Sequence, residues 1–240
     1  MSRTALVFPV VPGKDAREIA DELRARPREY EQSRRAMGVT MERAYLQHTP
    51  MGDYVVAYLE AEGDLLDGMR RMASSSLDVD RYFVKAVKEI HGVDLTQPMT
   101  GPAPETVAAW IDTAVRGRGR GMAFCAPLTP GETDRARAFV ADAYHRDDFT
   151  ASRRRLNVSE ELITLHCTPQ GDLAAIYIEG DDPARGNEGF AASREPFDLW
   201  FKEQLKKIFP AAIDFSKPVA GIEEIFDSSK VADLSLDKAA

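Results

Sequence analysis

Apolar positions along the chain switch twice from strand-like runs to helix-like spacing. Short apolar runs at Ala5–Val11 and Met122–Leu128 come just before a Pro-Gly pair and predict strands that end in turns. Each run is followed by apolar residues at helical spacing. They are Ala16, Ile19, Ala20 and Leu23 in the first case, and Ala136, Phe139, Val140 and Ala143 in the second. Pro27 should split the first helical region into two pieces, because proline breaks a helix interior.

A hairpin and a second helical region follow in each half of the chain. The sequence Thr-Pro-x-Gly-Asp predicts a tight turn between two strands, at 49–53 and again at 168–172. The flanking strands are Arg43–His48 with Tyr54–Glu60, and Leu162–Cys167 with Leu173–Glu179. After the second helical region, which ends at His91 or Phe209, a short strand at Val93–Leu95 or Ala212–Phe215 closes each half. This order is β-α-β-β-α-β.

The two halves are copies of one another. Ser33-Arg34-Arg35 recurs as Ser152-Arg153-Arg154 at an offset of 119 residues, and the two hairpin turns keep the same offset. Such matches keep their order along most of each half, which predicts a duplicated domain rather than a solenoid. The predicted organisation is a first repeat at 1–95, a linker with a short helix at 96–121, a second repeat at 122–215 and a C-terminal extension at 216–240. The linker helix is placed at Glu105–Val115, and the Gly-Arg run at 116–121 is interpreted as flexible and solvated.

With its duplication, strand order, Ser-Arg-Arg and Thr-Pro-x-Gly-Asp, the chain resembles the dimeric α/β barrel superfamily, specifically tandem bacterial members without an assigned activity. The resemblance covers nearly all of the chain outside the linker and the tail. It implies an α+β fold in which two ferredoxin-like units pack sheet to sheet as an intramolecular barrel. The superfamily includes cofactor-free monooxygenases, lactone isomerases, aldoxime dehydratases and haem-dependent enzymes, so the fold does not fix the reaction.

Strand alternation predicts which side chains share a face. If the first hairpin pairs His48 with Asp53, one face of that hairpin carries Ala44, Leu46, His48, Val55, Ala57 and Leu59. The matching face in the second copy is uniformly apolar and should lie under the helices. The opposite faces mix polar and apolar residues, as a small-molecule pocket does, and would line the barrel interior.

These mixed faces hold the candidate site residues. The predicted catalytic residues are His166 as an acid-base group, Glu179 as an alternative base and Tyr177 as its hydrogen-bonding partner. The predicted substrate-binding residues are Arg43, Tyr45, Gln47, Tyr58, Glu60 and Thr164. Histidine in a barrel can equally be a structural hydrogen-bonded residue, and the glutamates can lie in water at strand ends. A barrel filled by Tyr45, Tyr54, Tyr58 and Tyr177 would leave no room for a ligand.

Other charged residues allow two interpretations. Arg34, Arg35, Arg153 and Arg154 either clamp an acidic ligand or form structural ion pairs, with Glu42 and Glu161 as the expected partners. Asp80 and Asp198 are predicted helix N-caps. No histidine pattern predicts a metal site, and no cofactor is expected. Haem is the alternative, because it needs one axial histidine, for which His91 and His166 are the options.

Composition narrows the function classes. A net charge of -8 argues against nucleic-acid binding, and no apolar stretch approaches the length of a membrane span. Two cysteines give no disulfide framework, so a cytoplasmic protein is expected, either a monomer acting as a pseudo-dimer or a homodimer. The predicted function is binding of a hydrophobic small molecule, with cofactor-free monooxygenase, isomerase or eliminase chemistry. A non-catalytic ligand-binding or stress protein and a haem-dependent enzyme are the alternatives.

Overall fold

The computed structural model describes residues 1–98 and 101–231, which form two compact α+β units. In the described part, the first unit consists of residues 1–98 and 223–231, and the second of residues 101–222. Each unit contains a four-stranded sheet, in the order β1-β3-β2-β8 in the first and β4-β6-β7-β5 in the second. The chain therefore folds as the duplication predicts, with one important exception at the fourth strands.

The first unit contains the elements β1 (Ser2–Pro9), α1 (Arg17–Ala25), α2 (Pro27–Met37), β2 (Val39–Thr49), β3 (Gly52–Ala61), α3 (Leu65–Ala73), α4 (Asp78–His91) and β8 (Ile222–Asp227), followed by a 3₁₀ turn at Ser228–Lys230. Pro27 is the first residue of α2, so the predicted split of the helical region is confirmed. Gly38 ends α2 with a φ of 79°, and a Cβ there would lie 2.5 Å from the Glu62 carbonyl oxygen. Only glycine fits this turn.

The second unit contains β4 (Glu105–Ile111), β5 (Arg120–Pro127), α5 (Thr133–Ala143), α6 (Asp147–Arg155), β6 (Val158–His166), β7 (Leu173–Gly180), α7 (Pro183–Ala192) and α8 (Pro196–Leu205). Among these described helices, and those of the first unit, none has the length and apolar character needed to cross a bilayer.

The fourth strand of each sheet contradicts the sequence prediction. Val93–Leu95 and Ala212–Phe215 are not strands, and the predicted linker helix is the strand β4. β4 pairs antiparallel with β6, although it follows the first repeat in the chain. β8 neighbours β2 of the first sheet, although it follows the second repeat. Each sheet is thus completed by the segment that follows the other repeat, a long-range pairing that local patterns do not reveal.

The hairpin register is confirmed in both copies. His48 pairs with Asp53 and Gln47 with Tyr54, and in the second unit His166 pairs with Leu173. The apolar face of the second sheet packs under helices as predicted, because Leu165 and Ala174 share a buried cluster with Ala136 of α5. The face assignments on which the candidate sites depend therefore hold.

Candidate functional site

The Ser-Arg-Arg motif forms the same buried ion pair in both units. Arg34 donates to Glu42 from Nε at 2.6 Å and from Nη2 at 3.2 Å. Arg153 makes the equivalent bonds to Glu161 at 2.5 and 3.0 Å. Burial by itself would lower the pKa of Arg34, but the charge of Glu42 raises it overall, so the guanidinium stays charged. Arg34 and Arg153 therefore form structural ion pairs with buried partners, as one of the two interpretations predicted.

The tyrosines that donate to these ion pairs show how the two copies diverged. In the first unit, the Tyr30 hydroxyl donates to Glu42 at 2.9 Å. In the second, Phe149 stands at the matching position and Tyr144 supplies the hydroxyl, which donates to Glu161 at 2.6 Å. Burial, followed by the nearby carboxylate, raises the pKa of both tyrosines well above its usual value, so both remain protonated donors.

The predicted N-caps are wrong. Asp80 lies inside α4 and accepts a hydrogen bond from Ser33, and Asp198 lies inside α8 and accepts one from Ser152, each at 2.5 Å. Both carboxylates therefore link the last helix of their unit to the Ser-Arg-Arg helix, and the residues before the two helices are Leu77 and Glu195.

The mixed faces of the two sheets are buried. The predicted site residues are at most 7 % exposed in each case: Arg43, Tyr45, Gln47, Tyr58, Glu60, Thr164, His166, Tyr177 and Glu179. The interpretation that the glutamates lie in water at strand ends is wrong. Tyr58 donates to Glu60 at 2.5 Å, and Tyr177 donates to Glu179 at 2.8 Å, so a Tyr-x-Glu hydrogen bond is present in both units.

The predicted catalytic residues of the second unit separate into two groups. Tyr177 and Glu179 lie together near the end of β7, where Glu179 faces Glu160 across the sheet. His166 is six residues from Glu160 along β6, which is roughly 20 Å in a strand. Within the second unit, His166 and Glu179 therefore do not meet at one reacting atom.

Two residues near Glu179 escaped the sequence analysis. Glu160 is buried on the same face, and the guanidinium of Arg118 lies 3.5 Å from Glu179 and 4.0 Å from Glu160. The Gly119 amide donates to Glu179 at 3.0 Å. Arg118 and Gly119 of the Gly-Arg run thus contact a buried carboxylate, and residues 120–121 belong to β5, whereas Arg116, Gly117, Arg118 and Arg120 are exposed to solvent, as the sequence predicts for this segment. The mixed face of β6 was predicted to begin at Leu162. Continuing the strand two residues further toward the N-terminus would have placed Glu160 on the same face, beside Glu179.

In the first unit the mixed face carries a different set of charged contacts. Arg3 donates to Glu60 at 3.2 Å, and Arg43 donates to Asp227 of β8 at 3.1 Å. Arg43 and Tyr58 are direct partners across β2 and β3. Arg43, Tyr58 and Glu60 of the predicted binding residues thus have charged or hydrogen-bonding neighbours, whereas Gln47 lies toward the other end of β2.

A cavity of about 80 Å³ lies on the opposite face of the first sheet, between the sheet and the helices. Its floor includes Leu6, Ala57 and Ala44, which form one row across β1, β3 and β2. Helix residues and strand β8 also line it, the space is partly open to solvent, and the lining is almost entirely apolar. An apolar space with few polar groups is the kind of site that the sequence predicts for a small-molecule ligand. It lies on the face that the analysis assigned to packing.

The equivalent row of the second sheet carries larger side chains. Phe124, Ile176 and Ile163 are the register partners that correspond to Leu6, Ala57 and Ala44. In the neighbouring row the difference is reversed, because Phe8 and Val55 correspond to Ala126 and Ala174. The cavity therefore borders the middle row. In the sequence, the small side chains of Ala44 and Ala57, compared with Ile163 and Ile176 at the matching positions of the second copy, are the signal that could have located it.

His91 is one of the few polar residues in the cavity lining. It ends α4, is 6 % exposed, and its Nδ1 donates to the Pro9 carbonyl oxygen at 2.8 Å. Burial lowers the pKa of His91, more than the bond to Pro9 raises it, so the ring is neutral at pH 7. With Nδ1 protonated, Nε2 is the hydrogen-bond acceptor. The described residues provide it with no hydrogen-bond donor.

The cavity also tests the haem alternative at His91. Pockets for drug-sized ligands measure roughly 300–1,000 Å³, and the space beside His91 is about 80 Å³. A haem macrocycle does not fit there. Within the described residues, no cluster of three or more His, Cys, Asp or Glu side chains is placed to hold a metal ion. His166 as an axial ligand stays a prediction.

Comparisons with known proteins show little similarity in sequence. No protein-family model matches the chain, and no curated protein matches it. Among solved structures, a crystal structure of a "Putative monooxygenase" from Fusobacterium nucleatum subsp. nucleatum ATCC 25586 aligns with 92% of this chain and 88% of its own. The identity is 9% and the TM-score is 0.49.

Proposed function

We propose that this protein binds a small, predominantly apolar molecule in the cavity of the first unit. The observation that carries the proposal is the middle row of the sheet, where Ala44 and Ala57 leave a space that Ile163 and Ile176 occupy in the second copy. Protein interiors are otherwise close-packed, and an unfilled apolar space weakens a core. One copy of a duplicated domain that retains such a space is best explained by a ligand.

Native mass spectrometry of the purified protein, followed by organic extraction, tests this proposal. The expected result is a retained small molecule in the wild-type protein and its absence in A44I/A57I, which carries the side chains of the second unit. The matched control is I163V, a small change at the equivalent row that leaves the first unit intact. Retention of the same molecule by A44I/A57I would contradict the proposal.

A second candidate function is cofactor-free catalysis on the mixed face, of the monooxygenase, isomerase or eliminase type. The observation that favours it is the buried Glu179, which accepts hydrogen bonds from Tyr177 and the Gly119 amide and lies beside Arg118. A carboxylate held in this way can take a proton from a bound substrate. His166 remains the alternative base. The intramolecular barrel, with the chain acting as its own dimer, belongs to this proposal.

The duplication offers a matched control for the catalytic proposal. Small hydrophobic substrates of the monooxygenase, isomerase and eliminase classes would be screened with wild type, and a substrate that is converted would then be incubated with E179Q and E60Q, its products being followed by mass spectrometry. We expect E179Q to lower kcat by about 100-fold or more, the usual contribution of a general base. E60Q, in the equivalent Tyr-x-Glu pair, should act mainly on KM. Equal kcat in all three proteins would exclude Glu179 as the base.

A further inference from the structure

The lining of the first unit's cavity includes His91, which is neutral, and the ion pair Arg34–Glu42, in which the two charges neutralise each other. These polar residues restrict the class of ligand. We infer that the ligand of this cavity is a small neutral molecule with an apolar body and one hydrogen-bond donor, such as a phenol or an alcohol, and that His91 Nε2 accepts from that donor. This inference rests on the proposed function, because it names the ligand of the same site.

The size and adaptability of the cavity set the upper limit of the ligand. An engineered apolar cavity of about 150 Å³ admits benzene or xenon, and this one measures about 80 Å³. Met37, Met69 and Met72 line it. Because methionine is unbranched and flexible, these side chains can shift to enlarge the space. A single small ring or a short branched chain is therefore the largest body that fits.

The charged residues of the lining do not provide an anion site. Arg34 is the cation in the lining, and its guanidinium donates twice to Glu42, which also lines the cavity. Glu42 in turn accepts from Tyr30. A carboxylate ligand would have to compete with Glu42 for Arg34 and leave a buried charge without its partner, which is costly. A neutral ligand avoids this competition.

His91 supplies the acceptor that a neutral donor needs. The bond from Nδ1 to the Pro9 carbonyl fixes the tautomer, so Nε2 carries the lone pair, and burial keeps the ring neutral. In the second unit the matching residue is Phe209, which offers no acceptor. The backbone confirms this equivalence, because Val11 N–H donates to Ile90 O just as Thr129 N–H donates to Ile208 O. The two units thus differ in side-chain volume along the middle row and in the hydrogen-bond acceptor at the matching helix end.

Titration calorimetry with phenol, toluene and benzoate tests the inference, using wild type, H91F and A44I/A57I. We expect wild type to bind phenol about three- to tenfold more tightly than toluene, which is the contribution of one neutral hydrogen bond. Benzoate should not bind. In H91F, which carries the residue of the second unit, phenol and toluene should bind equally, and the thermal unfolding curve would verify folding.

The outcomes separate this inference from the function on which it rests. If toluene and phenol bind wild type equally, and H91F leaves their ratio unchanged, the cavity binds ligands but His91 does not select them, and the inference is overturned. If benzoate binds most tightly, the neutral-ligand argument fails. If none of the three binds wild type, or if A44I/A57I binds them as wild type does, the proposed cavity function itself fails.

Discussion

The two units have the same backbone arrangement and the same buried ion pair, but they differ in the row of side chains at the middle of the sheet. Leu6, Ala57 and Ala44 leave a cavity in the first unit. In the second unit, Ile163 and Ile176 stand where the first has Ala44 and Ala57. The ion pairs Arg34–Glu42 and Arg153–Glu161 are retained in both. The shared residues therefore build the fold, whereas side-chain volume at two positions distinguishes the row that borders a cavity from its larger counterpart in the second unit.

A large effect is expected from the conversion of the second unit into a copy of the first. I163A/I176A removes two isoleucine side chains from the helix-facing side of the sheet, where they pack against the core. Because both isoleucines are partly buried, each truncation should lower the free energy of unfolding by about 2 kcal/mol, the lower end of the range for Ile→Ala in a core. Because the two residues are direct partners, the losses need not add. Urea denaturation measures them, and losses below about 1 kcal/mol would show that the second unit is not tightly packed there.

The shared ion pair should give equal effects in the two units. R34M and R153M each leave a buried glutamate without its arginine, at a cost of about 3–5 kcal/mol in unfolding free energy. The double change R34M/E42L removes both charges and should recover most of that loss. A clear difference between R34M and R153M in denaturant unfolding would mean that the ion pair serves a further purpose in one unit.

Much of the fold followed from local patterns. The register of His48 with Asp53, the split at Pro27 and the partners Glu42 and Glu161 were all predicted, because turn chemistry, proline geometry and repeat positions are local or pairwise signals. The strands β4 and β8 were missed because their partners lie far away in sequence, and an edge strand such as Glu105–Ile111 gains its structure from that pairing.

The candidate site was predicted less well. Alternation placed Tyr177 and Glu179 on one face, and they do form a hydrogen bond. The cavity was missed because it depends on the volumes of Ala44 and Ala57 relative to their helix neighbours, which periodicity does not measure. His91 was considered only as a haem ligand, because its bond to Pro9 joins two elements that are distant in the sequence.

Filling the cavity should have a smaller effect on stability than emptying the second unit. A57I adds volume where the structure has a space, so we expect the free energy of unfolding to change by no more than about 1–3 kcal/mol, the range for added methylenes in a packed core. Ligand retention should be lost. A much larger destabilisation would show that the space at Ala57 is not available to a side chain.

The pH dependence of stability should reveal His91 as the smallest of these effects. Burial lowers the pKa of His91 in the folded state, so the unfolded chain binds the proton more readily. Stability therefore falls as the pH drops below the unfolded value of about 6.5. The difference between wild type and H91F, measured by urea denaturation from pH 7.5 to 5, isolates this contribution. A difference that does not change with pH would show that His91 is not buried in neutral form.

The most direct test of the central claim is a crystal structure of the protein under xenon pressure, because xenon enters apolar cavities without needing a specific contact. We predict a xenon peak between the middle row of the first sheet and its helices, next to Leu6, Ala44 and Ala57, and its disappearance in A44I/A57I. Absence of xenon from this position in the wild-type protein, or a peak that persists unchanged in the filled variant, would contradict the claim that the first unit retains a ligand cavity.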